Sequence, residues 1–143
     1  MSDVIVVGVD NSETAKRAAV AAAKLATALG AELHVISGFS DDRIEEFGSG
    51  SDRITVSSAD SAEYVARKVA EELDVPDNSV KYYAARGTPA NALINYAETH
   101  NASLIVVGNK RMKGLGRVLG SIANSVAHGA PCDVYIVNTE VDA

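Results

Sequence analysis

The sequence predicts a single α/β domain over residues 1–143, a five-stranded parallel sheet with helices on both faces. Three observations carry that expectation. Short apolar runs alternate along the chain with longer stretches of helical periodicity, the pattern of parallel strands joined by helical crossovers. Runs such as Val4 to Val9 are apolar and, but for Gly8, β-branched, as strands covered on both faces are. A length of 143 residues with 47% hydrophobic content suits one core of ordinary domain size.

Val4 to Val9 is the first strand. Asn11 and Ser12 are capping residues, and Glu13 complements the positive end of the Ala-rich helix from about Thr14 to Leu29, which Gly30 closes. Glu32 to Phe39 is the second strand. Ser40 to Ser57 combines Asp41, Asp42, Glu45 and Glu46 with Gly48-Ser49-Gly50-Ser51, and its composition is that of a mobile surface loop. Ser58 to Leu73 places Ala62, Val65, Ala66, Val69 and Leu73 on one helical stripe. A turn at Pro76 to Asn78 leads to the third strand, Val80 to Ala85. Thr88-Pro89 starts a helix that runs to about His100. Ser103 to Val107 is the fourth strand, Ser121 to about Gly129 a short helix broken by Pro131, and Asp133 to Asn138 the fifth strand. In such sheets ligands bind beyond the carboxyl ends of the strands, where the strand order reverses. Neighbouring first and fourth strands would bring Asp10 and Gly108 to one crevice.

Composition narrows the function. No apolar run approaches the roughly 18 residues of a membrane span. Met1-Ser2-Asp3 lacks a basic n-region, so no secretory signal is expected. The single cysteine, Cys132, precludes an internal disulfide and fits a reducing cytoplasm. The net charge is −6, yet no Asp or Glu occurs between Glu98 and Asp133. That interval holds the most informative segment, Val106 to Ser121. A buried strand ends at Gly108 and passes into a loop with Lys110, Arg111, Lys113, Gly114, Gly116 and Arg117, which reaches Gly120-Ser121 just before a helix. Glycines admit close backbone approach, and helix-start amides with four cations favour an anion such as phosphate. A local cationic loop in an acidic chain points to a small anion; a nucleic-acid binder would show a broad basic face. The segment is neither a Walker A loop nor a dinucleotide fingerprint.

Gly8-Val9-Asp10 at the end of the first strand, Gly87-Thr88-Pro89 before the third helix, and Gly108…Gly120-Ser121 followed by Ala130-Pro131-Cys132-Asp133-Val134 resemble the universal stress protein family. The resemblance spans essentially the whole chain. It implies a Rossmann-like three-layer sandwich of the adenine nucleotide alpha hydrolase-like kind, and a stress or energy-state regulator. ATP is the first expected ligand, with cyclic AMP or AMP second. The ATP-binding pattern is Gly, two residues, Gly, nine residues, then Gly-Ser or Gly-Thr. Here Arg111 stands at the second glycine, and eight residues separate it from Gly120. Gly114 or Gly116 would then make the tight turn, with Lys110 or Arg111 reaching phosphate through its side chain.

By the same resemblance Gly8, Val9 and Asp10 border the adenosine, and Gly38 lies beside the adenine. Val107 and Gly108, next to Asn109, contact base and ribose. Gly120, Ser121 and Ile122 present N–H groups to phosphates, with Arg117 among the nearby cations. Mg²⁺ is expected only through the phosphates, since the loop offers no carboxylate. Homodimerisation is implied through the last strand, Val134, Tyr135, Ile136 and Val137. No catalytic residue is assigned. His34, His100 and His128 are scattered, without a Ser or Cys partner at motif spacing, and no G-x-S-x-G elbow occurs. Asp10 and Ser121 also suit helix-cap roles, Arg86 reads as a solvated loop cation, and Cys132 as a small packed hydrophobe. Two further readings stay open: an interaction protein that binds no nucleotide, favoured by Arg111, and a slow ATPase, favoured by Asp10.

Overall fold

The computed structural model describes residues 3–40, 44–47, 54–76, 79–110 and 119–139. In chain order its elements are β1 (Val4–Gly8), α1 (Glu13–Leu29), β2 (Glu32–Phe39), β3 (Ile44–Phe47), β4 (Ile54–Ser57), α2 (Ser58–Glu71), β5 (Val80–Arg86), α3 (Pro89–Thr99), β6 (Leu104–Asn109), α4 (Ser121–Gly129) and β7 (Asp133–Asn138). Five strands form one sheet in the order β5-β2-β1-β6-β7. Every pairing in it is parallel. The chain steps outward from β1 to β2 and β5, then returns to the other side of β1 for β6 and β7. The order therefore reverses between β1 and β6.

Local chemistry sets the boundaries. The Ser12 Oγ accepts from the Ala15 N–H at 3.1 Å and starts α1. Gly30 ends it in the left-handed region at φ 65°, where a side chain would be strained. Ser57 caps α2 in the same way, accepting from the Asp60 N–H at 3.1 Å. Thr88 occupies the N-cap of α3 without a side-chain bond, and Pro89 follows at the first turn.

Alternation along the central strands divides the core into two layers. Ile5, Val7, Leu33, Val35 and Val106 point toward the alanine face of α1 and toward Ala66 and Val69 of α2. Val6, Ile36, Ile105 and Val107 point the other way, onto Ala90, Leu93 and Ala97 of α3 and Ala123 and Val126 of α4. Burying an isoleucine such as Ile5 or Ile105 contributes about 1.5–3 kcal/mol. Helices thus cover both faces, as the unbroken apolar runs predict.

The 40–57 segment differs from the expected loop. Ile44–Phe47 and Ile54–Ser57 pair antiparallel, with Ile44 opposite Ser57 and Phe47 opposite Ile54. Each short strand begins on a β-branched residue. The glutamates of β3 and the adjoining Gly/Ser run hide the pairing from a compositional reading. Most of the acidic Asp41–Asp52 stretch lies outside the described residues, as do the side chains of the hairpin strands other than that of Ser57. The fourth strand extends beyond expectation, through Gly108 to Asn109.

Two of the histidines also prove not to be scattered. At the amino end of the sheet His34 of β2 is buried, and its ring lies near those of Tyr83, Tyr96 and His100. His34 Nε2 lies 3.0 Å from Glu32 Oε1, which also pairs with Lys81 Nζ at 3.0 Å. A carboxylate only accepts, so Nε2 carries the proton, and Nδ1 accepts from the Tyr96 hydroxyl at 2.6 Å. The His34 N–H and then the Lys81 ammonium hold the Glu32 carboxyl below its ordinary value of 4.5. Burial raises the Tyr96 phenol, which stays a donor.

Tyr96→Phe removes that donor from a buried ring nitrogen and should cost about 1–2 kcal/mol in urea unfolding; an unchanged midpoint would show that the phenol contributes nothing. Because the folded-state pKa of Glu32 is depressed, its contribution is present above the unfolded value and is lost as pH falls below about 4.5. The unfolding midpoint should therefore drop on acidification through that range, and drop less steeply in Glu32→Gln; parallel pH profiles for the two proteins would refute the role of Glu32.

Candidate functional site

At the reversal between β1 and β6 the carboxyl ends of the central strands open into a crevice of about 160 Å³. Its position follows from topology: crossovers leaving β1 and β6 diverge to opposite sides, so no connection covers the gap. Seven of the residues singled out from the sequence line it, namely Gly8, Val9, Asp10, Gly38, Val107, Gly108 and Ile122. Its remaining walls were not foreseen. Ile36 and Leu93 complete an apolar floor with Val107, while Ser12, Thr14 and Ser37 add hydroxyls, and Ala15 and Pro89 close the sides. Two signals could have found the floor: period-two spacing puts Ile36 on the face of Gly38, and Leu93 is the large residue on the Ala90, Leu93, Ala97 stripe of α3.

Glycine at position 8 is a matter of space. A Cβ there would stand 2.6 Å from Cδ1 of Leu93, itself 2% exposed. The bare backbone of Gly8 thus lets α3 press Leu93 into the crevice floor. On the opposite face of the sheet a Cβ at Gly108 would meet Thr139, Ala18 and Thr14, so this glycine also brings β6 close to α1.

The polar groups are fixed by their own turns. One Asp10 carboxylate oxygen accepts from the Ser12 N–H at 2.8 Å, an Asx turn that holds the carboxylate at the rim. Ser12, and not Asp10, is the side-chain cap of α1. Helix α4 differs: Gly120 is its N-cap, Ser121 its first residue, and among the described residues no side-chain cap bond is made there. The first helical bond runs from the Asn124 N–H to the Gly120 carbonyl at 2.8 Å. The amides of Ser121 and Ile122 therefore have no acceptor within the helix. Ile122 reaches the crevice, whereas Gly120 and Ser121 stand exposed just before it.

One expectation is corrected here. The Gly120 N–H donates to Asn109 Oδ1 at 2.7 Å, so it is not among the amides offered to an anion. Asn109 is buried at the end of β6, and Lys110 follows it exposed. Arg111, Gly114 and Arg117 lie outside the described residues. Elsewhere, Arg86 ends β5 with its guanidinium 5.1 Å from the Phe39 ring centre. Cys132 is partly buried in the α3/α4 layer, and burial followed by the Asp133 charge raises its thiol, in keeping with a packing role. Among the described residues no three His, Cys, Asp or Glu side chains cluster as metal ligands, and no helix is long and apolar enough to cross a membrane.

The arrangement can hold a flat, mostly apolar ring against Ile36, Leu93, Val107 and Ile122, bond its polar edge at the Asp10 and Ser37 rim, and meet an anion at the uncapped start of α4. Comparison with known proteins bears on the family and the fold. A model of the universal stress protein family matches residues 1–138. The chain is 33% identical over 135 residues to universal stress protein A homolog 1 of Coxiella burnetii, covering 93% of this chain and 94% of that one. It is similar to a crystal structure of a universal stress protein in complex with cAMP, with a TM-score of 0.69 and 27% identity over 96% of this chain and 97% of that chain. It shares the fold of an Archaeoglobus fulgidus universal stress protein solved with dAMP, with a TM-score of 0.56 and 20% identity over 94% of this chain and 96% of that chain.

Gly8→Val should destabilise the protein by about 1–3 kcal/mol, since the added carbons displace Leu93. Leu93→Ala in the same chain should recover part of that loss; strictly additive effects in chemical unfolding would show that the two residues do not share the floor.

Proposed function

The chain belongs to the universal stress protein family, and we propose that it is an adenine-nucleotide-binding regulator of stress or energy-state responses, cytoplasmic and homodimeric. One observation carries the reading: the apolar crevice at the strand-order reversal lies directly beside the uncapped start of α4. A volume of about 160 Å³ suits a base and part of a ribose, with the phosphates outside along α4. Acidic side chains are absent from 99 to 132, so nothing charged in that interval repels them. The neighbour solved with cAMP supports an adenine nucleotide as the class of ligand.

ATP is the first ligand on this reading, because four cations between Lys110 and Arg117 suit a polyphosphate. A monophosphate, AMP or cyclic AMP, is the second. The interval between Arg111 and Gly120, one residue shorter than the family pattern, favours it. Mg²⁺ would travel on the nucleotide phosphates, as the loop has no carboxylate to hold it. We assign no catalytic residue: the Asp10 carboxylate already serves the Ser12 N–H, and phosphate release from Mg-ATP is expected to stay at background.

The dimer contact is placed on β7. Among the described residues that strand ends the sheet order and pairs with β6. It carries the exposed Tyr135 beside the partly buried Val134, Ile136 and Val137. An edge with apolar side chains and unpaired backbone groups recruits a partner strand.

Calorimetric titration of nucleotide-stripped protein with ATP, AMP and cyclic AMP should give one site per chain, and Gly120→Arg should abolish it. Absence of heat with all three ligands would favour the interaction-protein reading, and unchanged affinity in Gly120→Arg would overturn the site. Ile136→Lys should convert the protein to a monomer in light scattering; a persistent dimer would exclude β7 as the interface.

A further inference from the structure

The side chain of Asn109 links the two ends of the cationic loop. It is the last residue of β6 and 5% exposed. Its Oδ1 accepts from the Gly120 N–H at 2.7 Å across a separation of 11 residues. The Asn109 carbonyl in turn accepts from the Thr139 N–H at 3.1 Å, which fastens the same residue to the chain leaving β7. Gly120 has φ −62° and ψ 162°, a conformation open to any residue. A Cβ there would stand 2.9 Å from Asn109 Oδ1 and meet nothing else within 4 Å among the described residues, so a side chain is admitted only if that amide moves away.

We propose that Asn109 is a positioning residue for the phosphate end of the bound nucleotide, a latch that pins the start of α4 to the carboxyl end of β6. The proposal rests on the nucleotide reading above. The latch sets two properties of the site. It fixes the Ser121 and Ile122 amides beside the crevice, so their dipoles are oriented before an anion arrives and no ordering is needed on binding. It also occupies the Gly120 N–H, so recognition of phosphate begins one residue into the helix. A neutral amide is suited to this place. An aspartate would accept the same bond but set a negative charge next to the phosphates, inside the longest interval of the chain without acidic residues.

The latch acts on the phosphate end and leaves the base pocket alone, so adenosine and AMP separate its effect from general damage. The wild-type chain should bind AMP more tightly than adenosine. In Asn109→Ala the affinity for AMP should fall about tenfold while that for adenosine is unchanged. Gly120→Ala should reproduce the loss with Asn109 intact, a second route if the first variant folds poorly. Amide hydrogen exchange of the ligand-free proteins reads the latch directly: the Gly120 N–H should be protected in the wild type and in Asn109→Asp, and exchange fast in Asn109→Ala. Asn109→Asp should nonetheless lose AMP affinity. Variants that exchange fast at Gly120 yet keep the wild-type preference for AMP would overturn the latch alone. A folded wild-type chain that binds neither ligand would overturn the nucleotide reading, and this proposal with it.

Discussion

β1 lies between two strands that the chain reaches in opposite directions, β2 through α1 and β6 through α3, and this arrangement creates the crevice. A sheet that grew from one side only would have its carboxyl edge covered by successive connections. The reversal leaves a gap, and the residues at the gap then need unusual properties. Gly8 must be bare so that Leu93 can seat beneath it. Asp10 must turn the chain sharply into α1, which it does through the Ser12 amide. Asn109 must bring the start of α4 back across the loop. Apolar packing holds the reversal in place, since Ile5, Val6, Val7, Ile105 and Val106 are all fully buried.

The two ends of the sheet use polar groups differently. At the amino end His34, Glu32, Tyr96 and Lys81 satisfy one another, and the aromatic rings of Tyr96 and His100 stack at 3.8 Å. Such a closed network fixes α3 against β2 and leaves few bonds to offer elsewhere. At the carboxyl end the bonds are local and partial: an Asx turn at Asp10, a cap at Ser12, a latch at Asn109, and a helix start without a cap at α4. Backbone donors without an acceptor in their own helix stand at the second end, at the start of α4. Polar satisfaction and sheet topology thus select the same edge.

Much of this was legible in the sequence, for physical reasons. The central strands β1 and β6 announce themselves as apolar, largely β-branched runs, and Ser12 and Gly30 mark helix ends through their own backbone chemistry. The crevice was legible in outline because Gly8, Asp10, Gly38 and Gly108 fall at strand ends. What was hidden depends on contacts far apart in the chain. His34 and Tyr96 are 62 residues apart and meet only once α3 crosses the sheet. Asn109 resembles any polar residue in a glycine-rich loop until the fold brings Gly120 to its side chain. The β3–β4 hairpin was hidden for another reason: two four-residue strands, the first with two glutamates and a Gly/Ser run after it, carry too little pattern to stand out from a loop.

Backbone amide chemical shifts of nitrogen-15-labelled protein, followed through a titration with AMP, test the central claim most directly. Binding in the crevice should shift the amides of Val9, Asp10, Gly38, Gly108, Ser121 and Ile122 and leave those of His34, Tyr96 and His100 in place. Shifts centred on the amino-end cluster, or no shifts at saturating ligand, would contradict the assignment of function to the strand-order reversal.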